Sequence, residues 1–518
     1  MADVNKFKGA ITAGYDCKGE YIILGAAMLD GSAVEGVQVK APLKTFNRHG
    51  LIAGATGTGK TKTLQVIAEQ LSSKGVPVLV MDIKGDFSGI AAAGTSNSKI
   101  EERHTKIGLP WVPEASPVEF LTLSKENGAR LRATVSEFGP VLFSKILGLN
   151  DVQEGVVSIV FKYCDDKKLP LLDLKDFKKM LNYLTNEAKK EIEETYGKVS
   201  TATTSTILRN VVTLEQQGAD IFFGEKSFEV DDLIRIDENG RGIISILRLT
   251  DIQDKPKLFS TFMLSLLAEI YASFPEEGDS GQPKLVIFLD EAHLIFEEAS
   301  KALLNQIETI VKLIRSKGVG VFFCTQNPTD IPDDVLAQLG MKIQHALRAF
   351  TAKDRKQIKL TAENYPLSDF YDTENIITSL GMGEALITVL SEKGNPTPLA
   401  ATLLQAPRSR MDVLTPQEID ETNRKSKLVS KYSDTIDRES AFEILNAKIQ
   451  SANQQAPTTQ TVTQTSQTVE GTNEPSMFEK GAGMIGDAAK STAGKMIIRE
   501  VTRGLLGVLG FGGRTRRR

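Results

Sequence analysis

Three cysteines, Cys17, Cys164 and Cys324, lie far apart in 518 residues with no CxxC pair, and only four histidines accompany them. This scarcity excludes a disulfide framework and a zinc module, and it suits a reducing compartment. Long apolar runs are missing too. None reaches the ~20 residues that cross a bilayer, and Met1 to Ala10 has no apolar signal core, so the expectation is a cytoplasmic protein without a transmembrane segment. Charge of one sign is also lacking, since 62 Lys+Arg against 66 Asp+Glu leave a net charge of −4. No whole-molecule field favours a polyanion, and any nucleic-acid contact has to come from local basic patches.

What is present reads as an ordinary globular chain, with 41% hydrophobic and 25% charged residues and a length suited to roughly two to four structural units. Residues 1–46 form a short β-rich lead-in. From 47 to 407, apolar β-runs alternate with helical patterns: Leu51 to Ala53, Pro77 to Met81, Gly242 to Leu247, Leu285 to Leu289, Val319 to Cys324 and Ile343 to Leu347. Strands alternating with helices predict an α/β fold on a parallel sheet covered on both faces. Between about 90 and 235 the spacing breaks down into a helical insertion, whose lysine pairs at 167/168, 178/179 and 189/190 sit among acids and read as a solvated face. Glu384 to Leu390 and Pro398 to Leu404 flank Lys393-Gly394-Asn395 as a closing hairpin. A helical extension (408–450), a Gln/Thr/Pro/Ser linker (451–476) and a Gly/Arg-containing tail helix (477–518) complete the expectation.

Gly54-Ala55-Thr56-Gly57-Thr58-Gly59-Lys60-Thr61 matches GxxxxGK[ST], follows the expected strand 51–53 and opens the helical pattern Thr63 to Leu71, with Lys62 joining residues 54–61 as a nucleotide-binding candidate. Glycines let the backbone curl so that its N–H groups converge on phosphates, and the helix start adds its positive dipole end. In that arrangement Lys60 neutralises the β- and γ-phosphates and Thr61 ligates Mg²⁺, so ATP and Mg²⁺ are the expected cofactors. The run KLVIFLDEAHLIF (284–296) is a buried strand delivering Asp290 and Glu291 to its carboxyl end, where open α/β sheets bind ligands. Asp290 is placed for the metal shell, and Glu291 for polarising the attacking water as general base. Asp82-Ile83-Lys84-Gly85-Asp86 ends the second strand on the same edge, to line the site or to form a turn.

The letters Asp290-Glu291-Ala292-His293 spell the DEAH of a large RNA-helicase class. That class is excluded because its Ser-Ala-Thr element and second motor lobe are missing, which leaves His293 as a helix-side residue beside the site. Instead the chain resembles the HerA/FtsK superfamily of hexameric P-loop motors with a RecA-like sheet, and within it the bacterial HerA-like helicase family. The resemblance rests on NRHGLIAGATGTGKTKTLQ (47–65), VLVMDIKGDFSG (78–89), FLDEAHLIF (288–296) and IRSKGVGVFFCTQNPTDIPDDVLAQLGMKIQHALRAFTAKD (314–354), about two-thirds of the chain. It does not extend to the N-terminal β-barrel of archaeal relatives.

By that resemblance Gln326, at the tip of the strand after the acidic motif, is a γ-phosphate sensor, a role its paired donor and acceptor suit. One or two of Arg348, Arg315 and Arg355, ranked in that order and with a surface ion pair as the alternative for Arg355, are implied as arginine fingers acting within a subunit or across a subunit boundary, where a permanently charged guanidinium stabilises the transition state. The implied function is a Mg²⁺-dependent ATPase, a homohexamer acting on double-stranded DNA as translocase or helicase, with a nuclease or other protein as partner. The alternative is a ring ATPase acting on a protein client or as a conformational switch. A small-molecule kinase lacks support, because nothing resembles a lid and acceptor pocket.

Overall fold

The computed structural model describes residues 3–454 apart from 125, 252–254, 279, 297–300 and 434–439. The expected linker beyond Gln454 and the tail 477–518 lie outside the described residues. Among the described residues twelve strands form one sheet: β1 (Tyr21–Leu29), β2 (Ser32–Pro42), β3 (Gly50–Ala53), β4 (Val78–Asp82), β5 (Val118–Thr122), β6 (Ala129–Arg130), β7 (Ile244–Arg248), β8 (Leu285–Leu289), β9 (Val319–Thr325), β10 (Met341–Gln344), β11 (Glu384–Thr388) and β12 (Ala400–Leu404). Their order across the sheet is β2-β1-β12-β11-β10-β3-β9-β8-β4-β7-β5-β6. From β10 to β6 every neighbouring pair is parallel, and from β10 outward to β2 every pair is antiparallel.

The central strands are apolar along their whole length because both faces are covered. Every residue of β4, β8 and β9 is buried. Alternate side chains go to opposite cores. Leu285, Ile287, Leu289, Val321 and Phe323 join one cluster with the insertion helices and the helix Lys301–Ile314. Val286, Phe288, Phe322 and Cys324 join the other with Leu64, Ile67 and Leu71 of the helix Lys60–Ser73 and with Phe7 and Ile11 of the helix Val4–Gly14. The period of two that defines a strand thus assembles two cores from one run of sequence.

Three features differ from the sequence reading. β1 and β2 extend the main sheet, because β1 pairs antiparallel with β12 along Gly25–Leu404 to Ala27–Thr402. The segment read as a helical insertion also contributes β5 and β6, and β5 pairs with β7; one helix, Ser98–Ile107, precedes these strands and the others follow from Val135. β10 stops at Gln344 rather than running to Leu347. Beyond it the His345 N–H donates to Ala53 O (2.7 Å) and Ala346 O accepts from the Ala55 N–H (2.9 Å), which bends the chain toward the phosphate loop. In the insertion Lys167 pairs with Glu191 (2.9 Å) and Lys178 with Glu215 (2.6 Å), as a solvated face requires.

His49 enters β3 with φ +58° and is buried. Val321 N–H donates to its Nδ1 (3.0 Å), so Nε2 carries the proton and donates to Val311 O (2.7 Å). Burial pushes its pKa from 6.5 down to about 4. A base with a depressed folded pKa contributes stability fully above its unfolded pKa and loses it as pH falls from 6.5 toward 4. The stability gap between wild type and His49→Asn, a residue that tolerates positive φ, should therefore narrow by about 2 kcal/mol between pH 7.5 and pH 5 in denaturant titrations. A gap constant with pH would mean that the imidazole titrates alike in the folded and unfolded chain.

Candidate functional site

The carboxyl ends of β3, β4, β8, β9 and β10 meet at one edge, and every strong sequence motif except one arginine opens there. After Ala53 the chain passes through Gly54, Ala55, Thr56, Gly57 and Thr58 to Gly59, which precedes the helix Lys60–Ser73. Gly54, Gly57 and Gly59 have φ of +152°, +78° and +109°, values that L side chains rarely adopt. At Gly54 space also decides, since a Cβ would lie 2.4 Å from the Cβ of His345. The Lys60 ammonium is buried and donates to the carbonyls of Gly54 (2.6 Å) and Ala55 (3.3 Å). Burial, and then the neighbouring Lys84 ammonium, lower its pKa. The leading N–H groups of the helix have no intrahelical acceptor, which makes the loop an anion cradle.

Next to the cradle lie carboxylates from two adjacent strands. Asp82 ends β4, and its oxygens accept from the N–H groups of Gly85 (2.7 Å) and Phe87 (3.2 Å), fixing the turn that presents Lys84 and Asp86. Burial and the Asp86 charge push its pKa up to about 6. Thr61 Oγ1 donates to Asp86 Oδ2 (3.2 Å), while Asp86 Oδ1 is buried without a hydrogen bond. Asp290 follows β8, and burial together with the Glu291 charge pushes it up to about 7. A threonine hydroxyl, an orphaned carboxylate oxygen and Asp290 at a phosphate cradle fit a hard, oxygen-seeking divalent cation.

Glu291 is buried with φ +46°. One of its oxygens contacts Lys84 Nζ, and the other lies 3.2 Å from His293 Nδ1. His293 thus touches the acidic pair directly, rather than only flanking it on the helix. Gln326 follows β9 and is exposed, beside a Thr325 carbonyl that accepts from the Gly54 N–H (3.3 Å).

The arginines separate. Arg348 lies past the carboxyl end of β10, on the site's edge, exposed and bonded through Nη1 to Thr378 O (2.9 Å). Arg355 is exposed on the helix Ala352–Glu363 that follows. Arg315 instead precedes β9, whose seven residues put it roughly 20 Å from the site at the opposite edge of the sheet. It cannot serve the phosphate loop of its own subunit. Lys62 is a second departure, because its ammonium turns away from the cradle to Met411 O and to Gln65 Oε1 (3.4 Å) and only its backbone remains at the helix start.

Several supports were not legible in the sequence. Gly383 N–H donates to Thr58 O (3.0 Å), and Arg103 holds that turn through the carbonyls of Met382, Gly383 and Leu404 (each 3.0 Å). The buried Glu69, on the helix after the cradle, accepts from the N–H groups of Arg408 and Ser409 (both 2.9 Å), so the segment after β12 straps that helix. His345 is neutral, pushed by burial to about 4, and bonds Thr63 Oγ1 (2.9 Å) from beneath the loop.

A phosphate cradle, an acidic strand end and a central parallel sheet define a P-loop ATPase of the HerA/FtsK superfamily. The solved bacterial conjugative coupling protein TrwB, lacking its first 70 residues, has this fold with a TM-score of 0.50 at 15% identity, over 79% of this chain and 94% of that one. Within the superfamily, the model of the helicase HerA-like C-terminal family matches residues 28–517, and the chain belongs to that family. It is similar to the DNA double-strand break repair helicase HerA of Saccharolobus solfataricus, at 23% identity over 68% of this chain. It is also similar to the DNA import protein CedB of Sulfolobus acidocaldarius, at 23% identity over 67% of this chain. The matches span 64% and 51% of the length of those two relatives. Among the described residues no helix is long and apolar enough to cross a membrane.

Proposed function

We propose that this protein is a Mg²⁺-dependent ATPase of the cytoplasm that works as a homohexameric ring and moves or opens double-stranded DNA. The observation that carries the reading is the meeting of Lys60, Thr61, Asp290 and Glu291 at one sheet edge, within a chain of the helicase HerA-like family. Bound ATP is cradled by residues 54–61, with Lys60 against the outer phosphates. Thr61 and Asp290, with Asp86 beside them, hold the Mg²⁺, which supplies charge neutralisation at the phosphates. Glu291 accepts a proton from the attacking water, and Gln326 orients that water. Arg348 and Arg355, exposed on the site's own edge, are presented to a neighbouring subunit's nucleotide. Arg315, at the far edge, acts only if a neighbour's site meets that edge.

The relatives named for DNA repair and DNA import support a DNA client. With a net charge of −4, such a client is gripped through local phosphate contacts, which weaken steeply with salt. The test is the steady-state ATPase rate with and without duplex DNA at two salt concentrations, with Glu291→Gln as the blank. Stimulation that collapses at the higher salt is the expected result. Robust hydrolysis indifferent to DNA would replace the DNA client with a protein one and leave the site assignments standing.

A further inference from the structure

Lys84 belongs to none of the recognised elements of the phosphate site, yet its ammonium contacts the carboxylate of the proposed base. The two partners differ in freedom. The Glu291 side chain is 6% exposed and fixed at the end of β8, whereas the Lys84 side chain is 39% exposed on a turn whose backbone Asp82 anchors. When this pair separates, the lysine moves. The charges around it are Glu291, Asp290 and Asp86, and its ammonium acts in turn on that of Lys60, the residue proposed above to meet the outer phosphates. Lys84 thus lies between the Glu291 carboxylate it contacts and a phosphate loop whose lysine feels its charge.

We infer that Lys84 discriminates ATP from ADP: its ammonium restrains Glu291 until a γ-phosphate offers a more highly charged partner, and its transfer to that phosphate frees the carboxylate. The inference rests on the nucleotide-site reading above. A carboxylate in contact with an ammonium is a poor proton acceptor, since the pair stabilises its charged form. A γ-phosphate carries more negative charge than one carboxylate and presents three oxygens, so it competes for the lysine where the diphosphate of ADP does not reach. His293 Nδ1 lies 3.2 Å from the second Glu291 oxygen and packs beside the carboxylate that Lys84 would leave. The side chain is then released from its restraint without losing its orientation.

The test is equilibrium binding of ADP and of ATPγS, with Mg²⁺, to the full-length protein as wild type, Lys84→Met and Lys84→Arg. Wild type is expected to prefer ATPγS. Lys84→Met should reduce that preference by about tenfold or more, the scale of one charge-assisted contact, while leaving ADP affinity within about twofold. Lys84→Arg should restore the preference. Unchanged ADP binding also reports that the variant is folded. Equal weakening of both nucleotides, or an unaltered preference, would overturn the inference while leaving the nucleotide site intact. A wild-type protein that binds neither nucleotide would overturn the site reading and this inference together.

Discussion

Glu291→Gln is expected to bind ATP as wild type does and to turn it over about 10² to 10⁴ times more slowly, the range spanned by loss of a positioned general base. The amide keeps the shape of the side chain and can still meet His293, but it cannot take a proton from water, and it no longer holds the Lys84 ammonium by charge. Lys60→Ala should fail at an earlier step. It removes the buried ammonium that the Gly54 and Ala55 carbonyls hold at the cradle, and with it the charge that answers the outer phosphates. Single-turnover hydrolysis beside equilibrium ATP binding separates the two variants. Normal turnover by Glu291→Gln would remove Glu291 as the base, and normal ATP affinity in Lys60→Ala would move the phosphates away from the cradle.

Phe322→Ala should be among the most destabilising single changes in the molecule, at about 3–5 kcal/mol. Phe322 is wholly buried at the middle of β9, stacked on Phe46 (5.4 Å between centroids) and tilted against Phe288 (5.1 Å). Its ring occupies the space above Gly50 on the neighbouring strand, where a Cβ would lie 2.4 Å from Cε1. Deleting the ring leaves a hole over a glycine, a position with no side chain to fill it. The denaturation midpoint reads the loss. A cost below about 1 kcal/mol would mean that Phe46 and Phe288 close over the gap, against the rigidity expected of a packed interior.

These two predictions differ in how far the sequence alone carries them. Glu291 is marked by its neighbours in the chain, an apolar strand followed by two acids, and the phosphate loop is marked in the same way. Phe322 reads as one apolar residue among several; only the sheet order, with β9 between β3 and β8, makes it the ring that covers Gly50. Lys84 falls between the two cases. Its segment ends a strand at the correct edge, but the contact with Glu291 exists because β4 and β8 are neighbours in the sheet. Arg348 and Arg315 make the same point, because one follows the carboxyl end of β10 and the other precedes the amino end of β9, which leaves the first on the site's edge and the second roughly 20 Å away.

The sequence by itself determined the strands of the parallel core other than β5 and β6, the phosphate loop with its helix, the acidic strand end and the family. Each of these is written in contiguous residues, as an apolar period of two, a glycine pattern or a helix start, where local sterics and hydrogen bonding decide the outcome. Only the tertiary structure decided the antiparallel extension from β10 to β2, the clamp of Arg103 on the 382–383 turn, the strap of 408–409 on Glu69 and the hold of Lys84 on Glu291. The clamp and the strap join residues up to 340 positions apart, and these contacts form because packing both faces of one sheet brings its distant edges and loops together.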